Sequence, residues 1–221
     1  METPSSQDKL YQDFLNALEQ EEKQVCVKLA LDALDRGEVD LVGLYTKLLA
    51  PALNQMTFRE EERHLAIWKE HIRSAIVRTI LECSYPYLLR ELSEKGIRQD
   101  KGTVVIVSPS EEYHEIGARM GSDFFNLAGY RTVFVGSNTP REDLLEGVRS
   151  VQPTYVVISA TNTYSLVNAK KVIDALKAMD PTLKILASGH AFRQDPERVK
   201  SVGAIGFVHS IEDVFSLGGK V

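Results

Sequence analysis

The chain has 221 residues, 43% of them hydrophobic and 26% charged, which are the proportions of an ordinary globular protein with room for one large domain or two modest ones. It contains no apolar run long enough to cross a bilayer and no basic N-terminal flank followed by an apolar stretch, so we expect a cytoplasmic protein without a membrane segment. Residues 1–100 carry 13 Lys and Arg against 18 Asp and Glu, and residues 101–221 carry 13 of each, which argues against direct binding of nucleic acid through a basic face.

The first part of the chain has the apolar spacing of helices. Four segments show this spacing: residues 8–18, 23–36, 40–56 and 59–83. The third helix is expected to be interrupted near Pro51, and Pro86 is expected to separate the fourth helix from a short fifth one that ends near Gly96. The pattern predicts a helical bundle domain over residues 1–95, followed by a linker over residues 96–101.

The pattern changes at Gly102 to short runs rich in β-branched residues. These runs are residues 103–107, 132–135, 154–158, 183–187 and 204–208. Strands that alternate with helices at this spacing are typical of a parallel sheet covered on both faces. Residues 102–221 are therefore predicted to form a five-stranded, flavodoxin-like (Rossmann-like) domain, so that the whole chain combines a helical bundle with an α/β domain.

The loop after the first predicted strand carries the most distinctive polar residues. It spans Glu112–Gly117, with the sequence EYHEIG, and lies at the sheet edge where open α/β folds bind their ligands. A dinucleotide site would need G-x-G-x-x-G in this loop. A phospho-receiver would need an aspartate at the end of the third strand, where Ser159–Thr161 reads SAT. The sequence matches neither class, and it contains no P-loop motif.

Two interpretations of His114 follow from the residues alone. In the first, the neutral imidazole binds a transition metal, and Glu112 fixes its tautomer and raises its basicity by binding the other ring nitrogen. In the second, Ser108 and Glu111 form a capping box, and the acidic residues simply favour the start of a helix. For this loop taken alone, the helix-start interpretation is the simpler one.

Three loops together resemble the signature of the cobalamin-binding family, whose members join a helical cap to a flavodoxin-like domain. That signature has an acid-x-His-x-x-Gly loop after the first strand, a Ser-x-Leu turn after the third and a Gly-Gly turn after the fourth. The corresponding stretches here are Glu112–Gly117, Ser159–Thr161 and Ser188–Gly189. The resemblance implies that the chain binds a corrinoid and its cobalt, as adenosylcobalamin or methylcobalamin.

The resemblance also implies a role for each of these residues. His114 would be the lower cobalt ligand, in place of the corrinoid's own nucleotide base, and Glu112 would orient it. Gly117 would let the backbone pass close to the ligand. The displaced nucleotide tail would run between the loops after the third and fourth strands, where Ser159 would bond its base and Gly189 would leave a wall free of side chains.

Two residues depart from the family pattern. Thr161 stands where leucine is usual, which adds a hydroxyl to an apolar lining. Ser188 stands where glycine is usual, which narrows the groove. Both are small, so the departures imply weaker or altered corrinoid binding rather than none.

A pair of residues in the helical domain resembles one branch of the family. Glu70 and His71 match the Glu-His pair in the cap of adenosylcobalamin photoreceptors and regulators, and would face the upper side of the corrinoid. Glu112, where methyl-transfer corrinoid proteins commonly have aspartate, points to the same branch. That branch carries a tryptophan ten residues before the pair. Here Glu60 holds that position and Phe58 is the nearest aromatic residue, which argues against a response to light.

The resemblance implies a corrinoid-binding sensor that acts through a protein partner, such as a regulator or a kinase, or through self-association into a homo-oligomer. The alternative is a corrinoid carrier that moves a methyl group between two methyltransferases, because a cap plus a binding domain suits that role almost as well. A third interpretation is a degenerate pocket that binds no corrinoid, marked by Glu60, Thr161 and Ser188.

Overall fold

The fold begins with helices and continues with alternating strands and helices, as the sequence predicts. The computed structural model describes residues 6–57, 60–193 and 195–217. The chain divides into two compact units, Met1–Glu91 and Leu92–Val221. Within the described ranges, no helix is both long enough and apolar enough to span a membrane.

Amphipathic helices form the first unit. They are α1 (Ser6–Glu19), α2 (Lys23–Asp35), α3 (Leu41–Gly43), α4 (Ala50–Asn54) and the long α5 (Ala66–Glu94), which extends just beyond it. A π-helical segment, Leu44–Leu49, joins α3 to α4. The chain therefore stays helical through Pro51, and the interruption predicted there is a change of helical form at Ala50 rather than a break. A 3-10 turn, Glu60–Leu65, leads into α5. The predicted fourth helix therefore begins in a different, tighter helical form.

The predicted break at Pro86 is wrong, because α5 continues through this proline. A proline removes one backbone N–H from the helix and crowds the carbonyl four residues earlier. Next to it, the buried Ser84 hydroxyl lies 2.8 Å from the carbonyl oxygen of Leu81 and 2.9 Å from the hydroxyl of Tyr45. Leu81 and Leu88, before and after the proline, are both buried. Packing on both sides of Pro86 outweighs the local cost of the proline.

Parallel strands form the sheet of the second unit, and the described residues contribute five of them in the order β2-β1-β3-β4-β5. They are β1 (Thr103–Pro109), β2 (Arg131–Thr139), β3 (Tyr155–Ser159), β4 (Lys184–Ser188) and β5 (Gly206–Phe207). The middle strands β1 and β3 are almost entirely buried, as expected for continuous β-branched runs. The edge strand β2 contains register shifts against β1, and β5 is shorter than predicted.

Helices cover both faces of this sheet. They are α6 (Ile116–Leu127), α7 (Arg141–Val151), α8 (Ser165–Met179), α9 (His190–Arg193), α10 (Pro196–Val202) and α11 (Ile211–Ser216). Side chains of α7 to α10 pack on one face against alternate strand residues such as Val107 and Ile158. Phe125 of α6 and Val214 of α11 pack on the other face, against Ile106. The carboxyl ends of the strands, where the sequence predicts the functional site, lie between these two layers.

Candidate functional site

The loop between β1 and α6 is organised around the buried carboxylate of Glu112, whose side chain is 0% exposed. Its Oε1 accepts hydrogen bonds from the backbone N of His114 at 3.0 Å and from the ring Nδ1 of the same residue at 2.7 Å. Its Oε2 accepts from the backbone N of Thr161 at 2.8 Å and of Asn162 at 3.2 Å. One side chain therefore joins the loop after β1 to the turn after β3.

These hydrogen bonds determine the charge of the carboxylate. Burial raises the pKa of Glu112, but the bonds from the His114 ring and from the backbone amides of His114, Thr161 and Asn162 outweigh burial and lower it to about 2. The carboxylate is thus ionised at neutral pH and can only accept hydrogen bonds. The proton between the two side chains must then reside on Nδ1 of His114.

This tautomer leaves the lone pair of His114 on Nε2, the nitrogen that could coordinate a metal. The side chain is 50% exposed, so the ring is held at one edge and open to a ligand at the other. The amide Nδ2 of Asn162 lies 3.4 Å from Nδ1, and both atoms are donors in this state, so the contact is not a hydrogen bond. Asn162 instead donates to the hydroxyl of Tyr164 at 2.8 Å.

Two asparagines hold the turn that precedes His114. Glu111 and Asn138 both have positive φ, 67° and 50°, and the backbone N of Glu111 donates to Oδ1 of Asn138 at 2.9 Å. The backbone N of Asn138 donates to the carbonyl oxygen of Glu112 at 2.9 Å. From α8, Nδ2 of Asn168 donates to the carboxylate of Glu111 at 2.9 Å and to the carbonyl of Ser110 at 3.0 Å. The turn is therefore fixed from both flanks.

The capping-box interpretation of Ser108 and Glu111 is wrong. Ser108 is part of β1, where a strand residue cannot cap a helix that begins at Ile116. Glu115, which directly precedes α6, makes no side-chain cap hydrogen bond. Its carboxylate instead accepts from the backbone N of Ser137 at 3.1 Å. The acidic residues of this loop hold neighbouring loops rather than the start of the helix.

A row of serines crosses the carboxyl ends of three neighbouring strands. Ser159 pairs with Ser188 in the register of β3 and β4. Val107 pairs with Ile158 in the register of β1 and β3, which brings Ser108 beside Ser159 one residue later. Val107 and Ile158 face α7 to α10, and successive residues of a strand point to opposite faces, so the serines face α6 and α11. We call these three residues the serine row.

The two predicted glycines meet different surroundings. A Cβ atom at Gly117 would have no atom of the described residues within 4 Å, so the chain's own packing does not require glycine there. Gly189 has φ of 98°, and a Cβ atom there would overlap the carbonyl oxygen of Ala160. The backbone itself thus demands Gly189, whereas Gly117 leaves open space at the start of α6.

The predicted pair on α5 belongs to the first unit. Nε2 of His71 lies 3.5 Å from Oε2 of Glu70, and these side chains are 74% and 39% exposed. Oε1 of Glu70 accepts from the hydroxyl of Ser74 at 2.7 Å. Glu60 pairs with Arg63 in the 3-10 turn, with 3.1 Å between Oε2 and Nε. Phe58, the aromatic residue considered for this region, lies outside the described residues.

Sequence reasoning missed the three asparagines 138, 162 and 168 that surround the loop. Only Asn138 leaves a signal in the sequence, because asparagine tolerates a left-handed backbone at the end of a strand better than most residues do. The backbone bond of Asn162 to Glu112 and the side-chain bonds of Asn168 join segments far apart along the chain, which no local pattern reveals.

Residues 102–216 match the family model of the B12 binding domain. The chain belongs to this family. The expectation of a corrinoid-binding protein with a helical region before a Rossmann-like domain is confirmed. Among the described residues, no group of three or more His, Cys, Asp or Glu could hold a bare metal ion. A single imidazole suits a metal whose remaining positions a macrocycle fills.

The relatives of this B12-binding protein include methylamine corrinoid proteins and a transcriptional repressor. Trimethylamine corrinoid protein 1 of Methanosarcina acetivorans is 24% identical over 96% of this chain and 96% of that protein. The HTH-type transcriptional repressor CarA of Myxococcus xanthus is 26% identical over 83% of this chain and 59% of that protein. The solved monomethylamine corrinoid protein of Methanosarcina barkeri shares the fold, with a TM-score of 0.79 at 17% identity, over 96% of this chain and 98% of that one. These similarities do not show that the photoreceptor branch is the nearer one.

Proposed function

We propose that the chain is a corrinoid carrier of methyl groups, the alternative rather than the first function suggested by the sequence. The observation that carries this proposal is its similarity to a trimethylamine corrinoid protein, which extends over 96% of both chains. The similarity to the transcriptional repressor covers only 59% of that protein. The similarity to a corrinoid protein therefore extends over more of both chains than the similarity to the repressor does, which favours the carrier over the sensor.

A bound corrinoid supplies a cobalt centre that accepts a methyl group from one substrate and gives it to another. His114 would bind that centre through Nε2. Glu112 keeps the proton on Nδ1 of this ring, 2.7 Å from its own Oε1. A ring that donates from Nδ1 to an ionised carboxylate is a more basic ligand at Nε2. The pair thus offers one oriented, electron-rich nitrogen at the carboxyl edge of the sheet.

The displaced nucleotide tail would enter between the sheet and α6. Ser159 and Ser188, which pair in register at the ends of β3 and β4, would present small side chains along this entrance. Gly189 keeps the turn after β4 close to the backbone of Ala160, so that this wall stays thin. Thr161 contributes its backbone amide, which fixes Glu112.

We extend the proposal to the domain organisation, with a cap over residues 1–95, a linker over residues 96–101 and a corrinoid domain over residues 102–221. Two boundaries support it, since α5 ends at Glu94 and β1 begins at Thr103. A methyl carrier must meet the enzyme that supplies the methyl group and the enzyme that receives it. Methyltransferases are therefore the partners we propose, in place of a regulator or a kinase.

Corrinoid loading tests the ligand assignment. Purified protein is incubated with hydroxocobalamin, methylcobalamin and adenosylcobalamin, then passed through a desalting column, and the absorbance of the retained cofactor is recorded. We expect retention by the wild type and a shifted spectrum for His114→Ala, because an axial nitrogen is lost. His190→Ala, at the start of α9, is the control and should match the wild type. Absence of retained corrinoid would refute the proposed function.

Methyl transfer tests the carrier directly. The corrinoid-loaded, reduced protein is mixed with a methylamine and a methyltransferase that takes the methyl group from it and releases the demethylated amine, and methylation of the bound cofactor is followed by absorbance. We expect methylation that depends on both the enzyme and His114. A loaded protein that accepts no methyl group from any methylamine methyltransferase would leave the sensor as the better function.

The sensor remains the second candidate because of the pair Glu70 and His71, whose side chains lie 3.5 Å apart on α5. It predicts preference for adenosylcobalamin and a change of oligomeric state on illumination. The amount of each cobalamin retained after desalting measures the preference. Gel filtration in the dark and after illumination measures the oligomeric state. Identical elution profiles would remove this candidate.

A further inference from the structure

One side chain of the serine row has an unmet hydrogen-bonding capacity. Ser108 is 0% exposed, and within residues 6–57, 60–193 and 195–217 its Oγ has no hydrogen-bond partner. Buried hydroxyls almost always have a partner, because leaving one without a partner is unfavourable. The capacity of Ser108 to donate one bond and accept two is therefore available to a bound molecule.

The surroundings of Ser108 change abruptly along its face of the sheet. Two residues earlier on this face, Ile106, Val157 and Leu186 form a row in register and fill the core against α6 and α11. The next row on the same face consists of three serines. The wall formed by α6 changes in the same direction, from Phe125 near its end to Ala118 in its first turn. The side chains of both walls thus become smaller toward the carboxyl edge of the sheet, and those of the sheet also become polar.

Corrinoids differ in the chemistry of the base at the end of their nucleotide tail. The base can be a benzimidazole with methyl groups on its far edge, a benzimidazole with a hydroxyl there, or a purine with an amino group and ring nitrogens. If His114 takes the place of the base on cobalt, the base must lie elsewhere, and the serine row lines the groove proposed for it. A methylated edge would leave the Ser108 hydroxyl without a partner, whereas a hydroxyl or amino edge would give it one.

We propose that Ser108 selects among corrinoids by bonding the outer edge of the displaced nucleotide base, so that the chain prefers a base with a hydrogen-bonding edge to a dimethylated one. This inference rests on the proposed function and narrows its ligand. A site that can bond a polar group discriminates against the analogue that lacks it, and one neutral hydrogen bond of this kind corresponds to about a tenfold difference in affinity.

A second buried serine provides a matched control. Ser165 is also 0% exposed, and its Oγ also lacks a partner among the residues that the structure describes. It begins α8 and lies one turn before Ala169, which packs in the core on the opposite face of the sheet. Ser165→Ala therefore removes an equivalent hydroxyl away from the proposed groove.

The test measures the dissociation constants of four corrinoids for the full-length protein by equilibrium dialysis. Three carry dimethylbenzimidazole, hydroxybenzimidazole or adenine, and cobinamide carries no nucleotide. We expect the polar bases to bind about tenfold more tightly than dimethylbenzimidazole in the wild type and in Ser165→Ala. Ser108→Ala should reduce this ratio to about one while binding cobinamide unchanged. Ser108→Cys, which keeps the shape of the side chain but replaces the hydroxyl by a weakly hydrogen-bonding thiol, serves if the alanine variant melts early by circular dichroism.

Two results would overturn the inference. Equal affinity of the wild type for all three nucleotide-bearing corrinoids would remove the selectivity, and an unchanged ratio in both Ser108 variants would assign it to other residues. Absence of binding by all four corrinoids, cobinamide included, would instead refute the proposed function, and the inference with it.

Discussion

Two histidine–carboxylate pairs lie in the two units of this chain, and their surroundings give the same residue types different properties. In the pair of His114 and Glu112, the carboxylate is completely buried and three backbone amides also donate to it. In the pair of His71 and Glu70, both side chains reach solvent, and Nε2 of His71 lies 3.5 Å from Oε2 of Glu70. A buried, fully bonded carboxylate fixes the orientation of a ring, whereas an exposed pair is worth little energetically.

The largest expected effect is on the stability of the second unit. Glu112→Ala leaves three backbone amides and the imidazole of His114 without their acceptor, so we expect the free energy of unfolding to fall by about 3 kcal/mol. Chemical denaturation measures this loss. Glu70→Ala is the matched control and should cost less than about 1 kcal/mol. Similar losses in the two variants would abolish the distinction between the pairs.

Acid should weaken the buried pair in a defined direction. The pKa of Glu112 falls from 4.5 in the unfolded chain to about 2 in the folded protein. The lowered pKa of Glu112 adds about 3 kcal/mol to the free energy of unfolding. This contribution is complete above about pH 4.5 and is lost as the pH falls toward 2.

Comparison with a non-titrating variant isolates this contribution. In Glu112→Gln, position 112 no longer titrates, so the stability difference from the wild type should be greatest above about pH 4.5 and shrink as acid is added. Denaturation curves at several pH values measure it. A difference that is constant with pH would mean that another group is responsible.

A smaller effect is expected at the asparagine that holds the preceding turn. Asn168→Ala removes two hydrogen bonds to the turn of Ser110 and Glu111, and should cost about 1 kcal/mol of stability. Hydrogen exchange of the loop amides should speed up. The control on the same helix is Lys170→Ala, whose ion pair with Asp174 is about half exposed and should contribute less than about 0.5 kcal/mol.

The smallest effect is expected at the exposed histidine. His71→Ala should change stability by less than about 0.5 kcal/mol, because its side chain is 74% exposed. If the chain is a methyl carrier, this variant should also retain methylcobalamin as the wild type does. If the variant instead failed to retain adenosylcobalamin while still retaining methylcobalamin, His71 would contribute to cofactor binding and the sensor would be favoured.

Much of the fold could be predicted from sequence because the signals were local and repeated. Runs of β-branched residues alternating with helices predicted the parallel sheet, which the structure contains with five strands among its described residues. The helical domain was harder, because Pro86 is a local signal for a break. Burial of Leu81 and Leu88 around it is a tertiary effect that outweighs that signal.

The candidate site shows the same division. The pairing of His114 with Glu112 was predictable, because two residues in one loop can meet without knowledge of the fold. The amides of Thr161 and Asn162, which complete the bonds of the carboxylate, come from a turn about fifty residues later along the chain. Their contribution depends on the placement of β3 beside β1. The sequence predicts that these strands belong to one parallel sheet, but it does not give the distances between their loops.

The shared carboxylate of Glu112 has a thermodynamic consequence for the proposed corrinoid site. Oε1 of Glu112 holds the imidazole of His114, and Oε2 holds the turn after β3, which begins beside Ser159. A molecule that displaces this turn alters the bonds of the carboxylate and, through them, the ring. By linkage, coordination at Nε2 then changes the affinity of the groove by the same factor as occupation of the groove changes coordination. Tail insertion and metal ligation would be a single cooperative equilibrium.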